Sequence, residues 1–455
     1  MMKRNGMIKL VCLGMLLVWL AACGSGGETA VLEPTAIAST HEETAAVPPT
    51  PTLVAPAAAD EAAPTVAVAT ETAVPPTPVP PTPTFVPTVT PPPAPVDEAQ
   101  IRQELQTLAF PAGIYEGVYA FPLPQDPHVW LVHSVGFRPY ETVSNHAAAL
   151  YRYVDGQWQE LARVELVTPD ILYEEAIAAV DLGDGRYWFE EYSYVGAHGS
   201  CYELLRYDFA ALDVVISNCH SSNASGGIGD LNQDGRPDLV LNQTIDYVFC
   251  FACGVRYPYY DVLEFVDGEW QPVTVRLLPD DAQVDMRNFN NEAVRLYNLG
   301  LFKQAEETIN LIVGDVPLVL WNQAIIRLHA EDARFQAQNG PLPVLGQIFY
   351  GDYAAALDML RVYPPVELFT LQNNPLLVGT VAEGWEDTFA EWVTSTTVSV
   401  VEGQPDMASA HFLYGWGLYL LDATDSRVMG ELETAVSLDP TEPLYQDSLA
   451  YLRGE

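Results

Sequence analysis

Two periodicities of apolar positions divide this chain. A short helical stripe, Ile101, Leu105 and Leu108 in "VDEAQIRQELQTLA" (96–109), is followed by a long stretch in which apolar and polar residues alternate. Within it, "LYRYVDGQWQELARVEL" (150–166) and "LEFVDGEWQPVTVRL" (263–277) share an aromatic-Val-Asp-Gly-x-Trp-Gln core. Asp-Gly between alternating strands predicts a tight hairpin, because both turn residues need positive φ. "YELLRYDFAALDVVIS" (202–217) is a degenerate middle copy without the glycine. Upstream, "AAVDLGDGRYWFEEYSYV" (178–195) parallels "GGIGDLNQDGRPDLVLNQTIDYV" (226–248), each an acidic glycine turn that runs into a strand. Three units near 114–167, 175–219 and 226–278 are therefore expected, each of about four antiparallel strands. Three are too few for an ordinary closed propeller, so an open propeller-like fragment, a sandwich, or a closure with borrowed strands all stay open.

Beyond residue 285 the period becomes helical. "NEAVRLYNLGLFKQAEETINLIV" (291–313), "IFYGDYAAALDMLRVYPP" (348–365) and "AHFLYGWGLYLL" (410–421) with "ELETAVSLDPTEP" (431–443) place small and aromatic residues around glycine turns. They resemble tetratricopeptide (TPR) repeats, with Pro440 ending a helix as it does in that family. The resemblance implies a helical solenoid with a concave face for a protein or peptide partner. Gly300 and Gly351 lie roughly 50 residues apart against the 34 of a TPR, so extra helices, such as "AEGWEDTFAEWVTS" (382–395), interrupt the array. Trp385, Trp392 and Trp416 are either groove or core residues. The expected fold is multidomain, β then α: an antiparallel β-repeat domain over 96–284 and a TPR-like α-helical solenoid over 285–455.

The first 95 residues have neither pattern. Lys3, Arg4 and Lys9 precede an apolar run from Leu10 to Leu20, too short to span a bilayer comfortably. Leu20-Ala21-Ala22-Cys23 resembles the lipobox of bacterial lipoproteins, which implies a signal peptide at 1–22 and lipidation of Cys23. Gly24 follows the cysteine, where Asp would mark inner-membrane retention in that family, so outer placement is permitted. Residues 23–95, with runs such as "VPPTPVPPTPTFVPTVTPPPAP", cannot pair as strands because proline lacks the amide hydrogen. They form a tether, about 200 Å long if fully extended. An extracytoplasmic, membrane-anchored protein is expected.

Charge and cysteines narrow the partners. The formal net charge is −40, and Lys303 is the sole lysine after Lys9. That charge repels nucleic acid and anionic headgroups, and it favours cations and basic surfaces. Besides Cys12 and Cys23, the chain has Cys201, Cys219, Cys250 and Cys253, an even set that suits two disulfides in an exported protein. Three pairings are open. Zinc with His198 and His220 is an alternative, as are reactive thiols, although "VFCFACGV" looks strand-like and apolar.

"GDLNQDGRPDLVL" (229–241) carries the sharpest chemistry. Asp230, Asn232, Asp234 and Asp238 fall at positions 1, 3, 5 and 9, Gly235 permits a bend, and the Arg236 carbonyl can turn inward, a ring of hard oxygens suited to Ca²⁺. Leu241 stands where an EF-hand would place its bidentate Glu. The stretch resembles the calcium loop of FG-GAP/VCBS repeats, which implies that Asp230, Asn232, Asp234, the Arg236 carbonyl and Asp238 hold calcium between two strands. The bland alternative is an ion-free Asx-turn. No nucleophile motif, phosphate loop or HExxH occurs, and a carboxylate pair such as Glu386 and Glu391 means little in so acidic a chain. The expectation is a binding or scaffold lipoprotein without catalysis; an envelope-polymer hydrolase and a solute or carbohydrate sensor are the alternatives.

Overall fold

Asp97 starts helix α1 (Glu98–Ala109), its carboxylate accepting from the amides of Ala99 and Gln100. The helix buries Ile101, Leu105 and Ala109, four residues apart, and turns Leu108 outward at 53% exposure. The expected stripe is thus rotated by one position. This computed structural model describes residues 97–110, 117–137, 145–166, 170–195, 199–221, 224–370 and 373–455; the leader, Cys23, the tether and His198 lie outside them.

Thirteen strands follow among the described residues: β1 (Gly117–Pro122), β2 (Val129–Phe137), β3 (Ala147–Val154), β4 (Gln157–Glu165), β5 (Ile171–Leu172), β6 (Ile177–Val180), β7 (Tyr187–Val195), β8 (Gly199–Tyr207), β9 (Leu212–His220), β10 (Gly226–Gly229), β11 (Asp238–Asn242), β12 (Tyr260–Val266) and β13 (Glu269–Val273). β1–β4, β6–β9 and β10–β13 are each an antiparallel meander. Two-residue β5 bridges the ends of β2 and β7, so the first two meanders share one nine-stranded sheet, and the third is a separate four-stranded sheet. The Asp-Gly hairpins are where the alternation placed them. Asp155-Gly156 and Asp267-Gly268 have the same φ pair, 51° and 83°, the primed turn that matches strand twist. Tyr153 packs on Trp158 at 5.1 Å and Phe265 on Trp270 at 5.0 Å, equivalent cross-strand pairs in two meanders.

Opposite faces of the strands decide how the meanders assemble. Leu131 and Leu150 of the first pack with Phe189 and Leu205 of the second, so the nine-stranded sheet folds back on itself. On the other face of the second meander, Trp188, Tyr202 and Leu204 meet Leu239 and Leu241 of the third. Helix α1 covers the outer face of the first meander through Trp130, Val132 and Tyr151. Glu190 ties the second and third together by accepting from the Tyr202 hydroxyl and the Ile228 amide.

The meanders share their ends. Arg186 donates to the Gly268 carbonyl at 3.1 Å where the Asp-Gly turns and residues 230–237 lie. At the opposite end Asn218 donates to the carbonyls of Ser225 and Asn242. The turns at 181–186 and 267–268 therefore lie at one end, and the long connection over residues 243–259 at the other.

Ten helices complete the described chain: α2 (Val284–Asn298), α3 (Phe302–Ile309), α4 (Pro317–Asn339), α5 (Pro343–Tyr350), α6 (Tyr353–Leu360), α7 (Pro365–Leu368), α8 (Glu386–Gly403), α9 (Ala408–Leu421), α10 (Arg427–Leu438) and α11 (Pro443–Arg453). Short turns join α2 to α3 and α5 to α6, and the two turns touch although α4 intervenes in sequence. A Cβ on Gly351 would lie 2.7 Å from the Leu301 Cα, so this close approach requires glycine. Lys303 reaches Asp352 at 2.7 Å across the same contact. Trp416 is fully buried, its indole donating to the Leu368 carbonyl, and half-buried Trp392 donates to the Val248 carbonyl. Both belong to the core rather than to a groove; Trp385 is exposed.

α4 lies against the third meander, where Trp321 and Ile325 pack on Val262 and Val273. Buried Asn322 fixes the chain between sheet and helices, its amide oxygen accepting from the Arg276 amide and its NH₂ donating to the Arg276 carbonyl and to Asn290. Asn322→Ala strands these groups and should cost about 1–2 kcal/mol in urea unfolding. An unchanged midpoint would mean that water replaces the amide. Among the described residues no helix is long and apolar enough to cross a membrane.

Candidate functional site

The calcium-type loop joins β10 to β11 within the third meander. Each of its oxygen-bearing side chains serves a loop amide. Asp230 accepts from Gly235, Asn232 from Asp234, Asp234 from Arg236, and Asp238 from Leu231 and Asn232. The Arg236 guanidinium also closes on Asp234 at 2.9 Å. Asp238 is 1% exposed; burial, together with the nearby Asp234 and Asp230, pushes its carboxyl up to about 6, against the pull of the Leu231 and Asn232 amides. The loop's donors are hard oxygens, the type the calcium expectation calls for, and loop amides and the Arg236 guanidinium engage them here. Among the described residues no three His, Cys, Asp or Glu side chains form a ready-made metal cluster. The related turn at 181–186 keeps the Asp-Gly-Arg end: Asp184 accepts from the Arg186 amide and from the Trp188 indole.

The cysteines form two disulfides at the opposite end of the strands. Cys201 and Cys219 are register partners on β8 and β9 and are joined there. Cys250 is joined to Cys253. The segment "VFCFACGV" is not a strand; Phe251–Cys253 make a single 3-10 turn inside residues 243–259, with Val248, Phe249 and Cys253 buried in the helical core. Its apolar residues face the helices, which explains their strand-like run without any ladder.

This segment walls two adjoining cavities. The larger, about 560 Å³, lies between the third meander and α4 and is lined by Asn242, Thr244, Asp246, Arg256, Tyr260 and Asp332, among others. The second, about 470 Å³, holds Ser200, His220 and Tyr247, and the two share Ser221 and Phe251. Asp246 is buried, with His220 Nδ1 at 3.1 Å and Arg256 Nε at 3.5 Å. Burial raises its carboxyl, His220 and Arg256 pull it back, and Asp332 pushes it up again. From the helical side Asp332 accepts from the Tyr260 hydroxyl at 2.8 Å.

Sequence pattern does not single out Asp246, Arg256, Tyr260 or Asp332, and His220 stands out merely as a neighbour of Cys219. A signal was there: residues 243–259 form a much longer connection than a meander needs and carry two cysteines. Asp332 on α4 had none. Comparison with protein-family models gives no match, and comparison with curated proteins gives none either.

Proposed function

We propose that this protein is an envelope-anchored binding lipoprotein that holds a small polar solute where its β connections meet its helices. The observation that carries this reading is the pair of adjoining cavities, the larger closed from the helical side by Asp332 and both lined by groups suited to orienting a ligand. A lipid on Cys23 and the Pro/Thr tether would hold the described region away from the membrane on its extracytoplasmic side. The β stack then serves as an FG-GAP/VCBS-like scaffold, propeller-like but open, with Ca²⁺ held by Asp230, Asn232, Asp234, the Arg236 carbonyl and Asp238. The helices serve as an irregular TPR-like array that can engage a protein or peptide; the contact between the turns at Gly300 and Gly351 supports that part of the reading. Binding rather than catalysis is assigned.

A thermal-shift panel of amino acids, monosaccharides and diamines, run on the full-length protein in saturating calcium, tests the central claim. At least one compound should raise the melting temperature of the wild type and fail with Ser221→Trp, which fills the wall shared by the cavities. A panel without effect, or a shift that survives in the variant, overturns it. The scaffold role has its own expected outcome. Calcium at ten times its dissociation constant should add about 1.4 kcal/mol to wild-type stability. It should add nothing to Asn232→Ala/Asp234→Ala, and a wild type whose unfolding ignores chelation would remove calcium from the account.

A further inference from the structure

We infer that the larger cavity takes a small organic cation, an amine or guanidinium group, with Asp332 and Asp246 as its counter-charges. The inference rests on the binding reading above and adds the class of ligand. The two carboxylates approach the same space from different regions, Asp246 from the connection between β11 and β12 and Asp332 from α4. Asp246 already has neighbours, the His220 Nδ1 at 3.1 Å and the Arg256 Nε at 3.5 Å. Even so its Oδ2, on a side chain 5% exposed, has no hydrogen bond of good geometry. Asp332 has the Tyr260 hydroxyl as its sole side-chain partner among the described residues, so its charge is not neutralised.

The cavity lining therefore carries two carboxylates against the one guanidinium of Arg256. A bound ammonium group would restore the balance in a space where water is partly excluded and charge pairs strengthen. Tyr260 and Phe251 add aromatic surface beside those carboxylates, which suits the alkyl part of such a ligand and attracts its charge. The protein's charge of −40 concentrates cations around it and speeds their encounter.

The experiment is isothermal titration of the full-length, disulfide-intact protein with putrescine in saturating calcium, beside 1,4-butanediol as the uncharged analogue and glucose as an uncharged solute. Putrescine should bind at least tenfold more tightly than butanediol, and Asp332→Asn should weaken putrescine at least tenfold. Because asparagine still accepts from Tyr260, that variant should melt close to the wild type. Ser221→Trp should weaken putrescine as well. Equal affinity for putrescine and butanediol, or an undiminished affinity in Asp332→Asn, overturns the cation assignment. If glucose binds in place of putrescine and is lost in Ser221→Trp, the cation assignment falls and the binding reading stands. If the cavity takes neither probe nor any member of the thermal-shift panel, both fall.

Discussion

Trp188→Ala should destabilise the protein by about 3–5 kcal/mol, the usual cost of removing a large aromatic side chain from a packed interior. The ring is 1% exposed and fills the interface between the second and third meanders, edge-on to Phe265 at 5.5 Å. Arg206 lies over it, and its indole donates to Asp184 in the neighbouring Asp-Gly-Arg turn. Alanine would therefore open a cavity, remove a cation–π contact and release the turn. Trp188→Phe separates these terms: it keeps most of the packing and should lose about 1 kcal/mol for the missing N–H donor. Urea unfolding reads both. A loss below about 1 kcal/mol for the alanine variant would show that the two sheets are not held through this ring.

Glu191→Gln is expected to act in the other direction, stabilising the protein by about 2–4 kcal/mol at pH 8 and by almost nothing at acid pH. Glu191 on β7 and Glu203 on β8 are directly opposed and fully buried. Burial raises the Glu191 carboxyl well above its ordinary value of 4.5; the Ser193 hydroxyl offsets part of this and Glu203 adds to it. A folded-state value above the unfolded one means that the native state takes up protons. The contribution of Glu191 is then fully present below pH 4.5 and is lost as pH rises through the folded value. Glutamine has no proton to lose, so the stability difference between the proteins should widen steadily with pH. A difference that stays flat from pH 4 to pH 9 would rule out a neutral Glu191.

These two positions also mark how far the sequence could be read. The meanders were legible because hairpin turns leave a local signature: Asp155-Gly156 and Asp267-Gly268 need backbone angles that few residue pairs accept. The division into β and α regions was legible from the change of period. The order of stacking was not, because it depends on which strand faces meet residues far away in sequence. "YWFEEYSYV" shows the difficulty: Glu191 and Ser193 look like the wet side of a strand, yet both are buried beneath the first meander. The metal-type loop was visible because its residues are contiguous. The cavity was not, since Asp246 and Asp332 come together only once α4 rests on the third sheet. The apolar run around Cys250 misled for a related reason, as its partners are helices rather than strands.

Stacked sheets have a natural tendency to propagate, because each uncovered side is a template for one more. In this protein α1 closes one side of the series and α4 the other. Both ends are thus finished by elements of a different kind, which fixes the number of layers and leaves little for a second chain to extend.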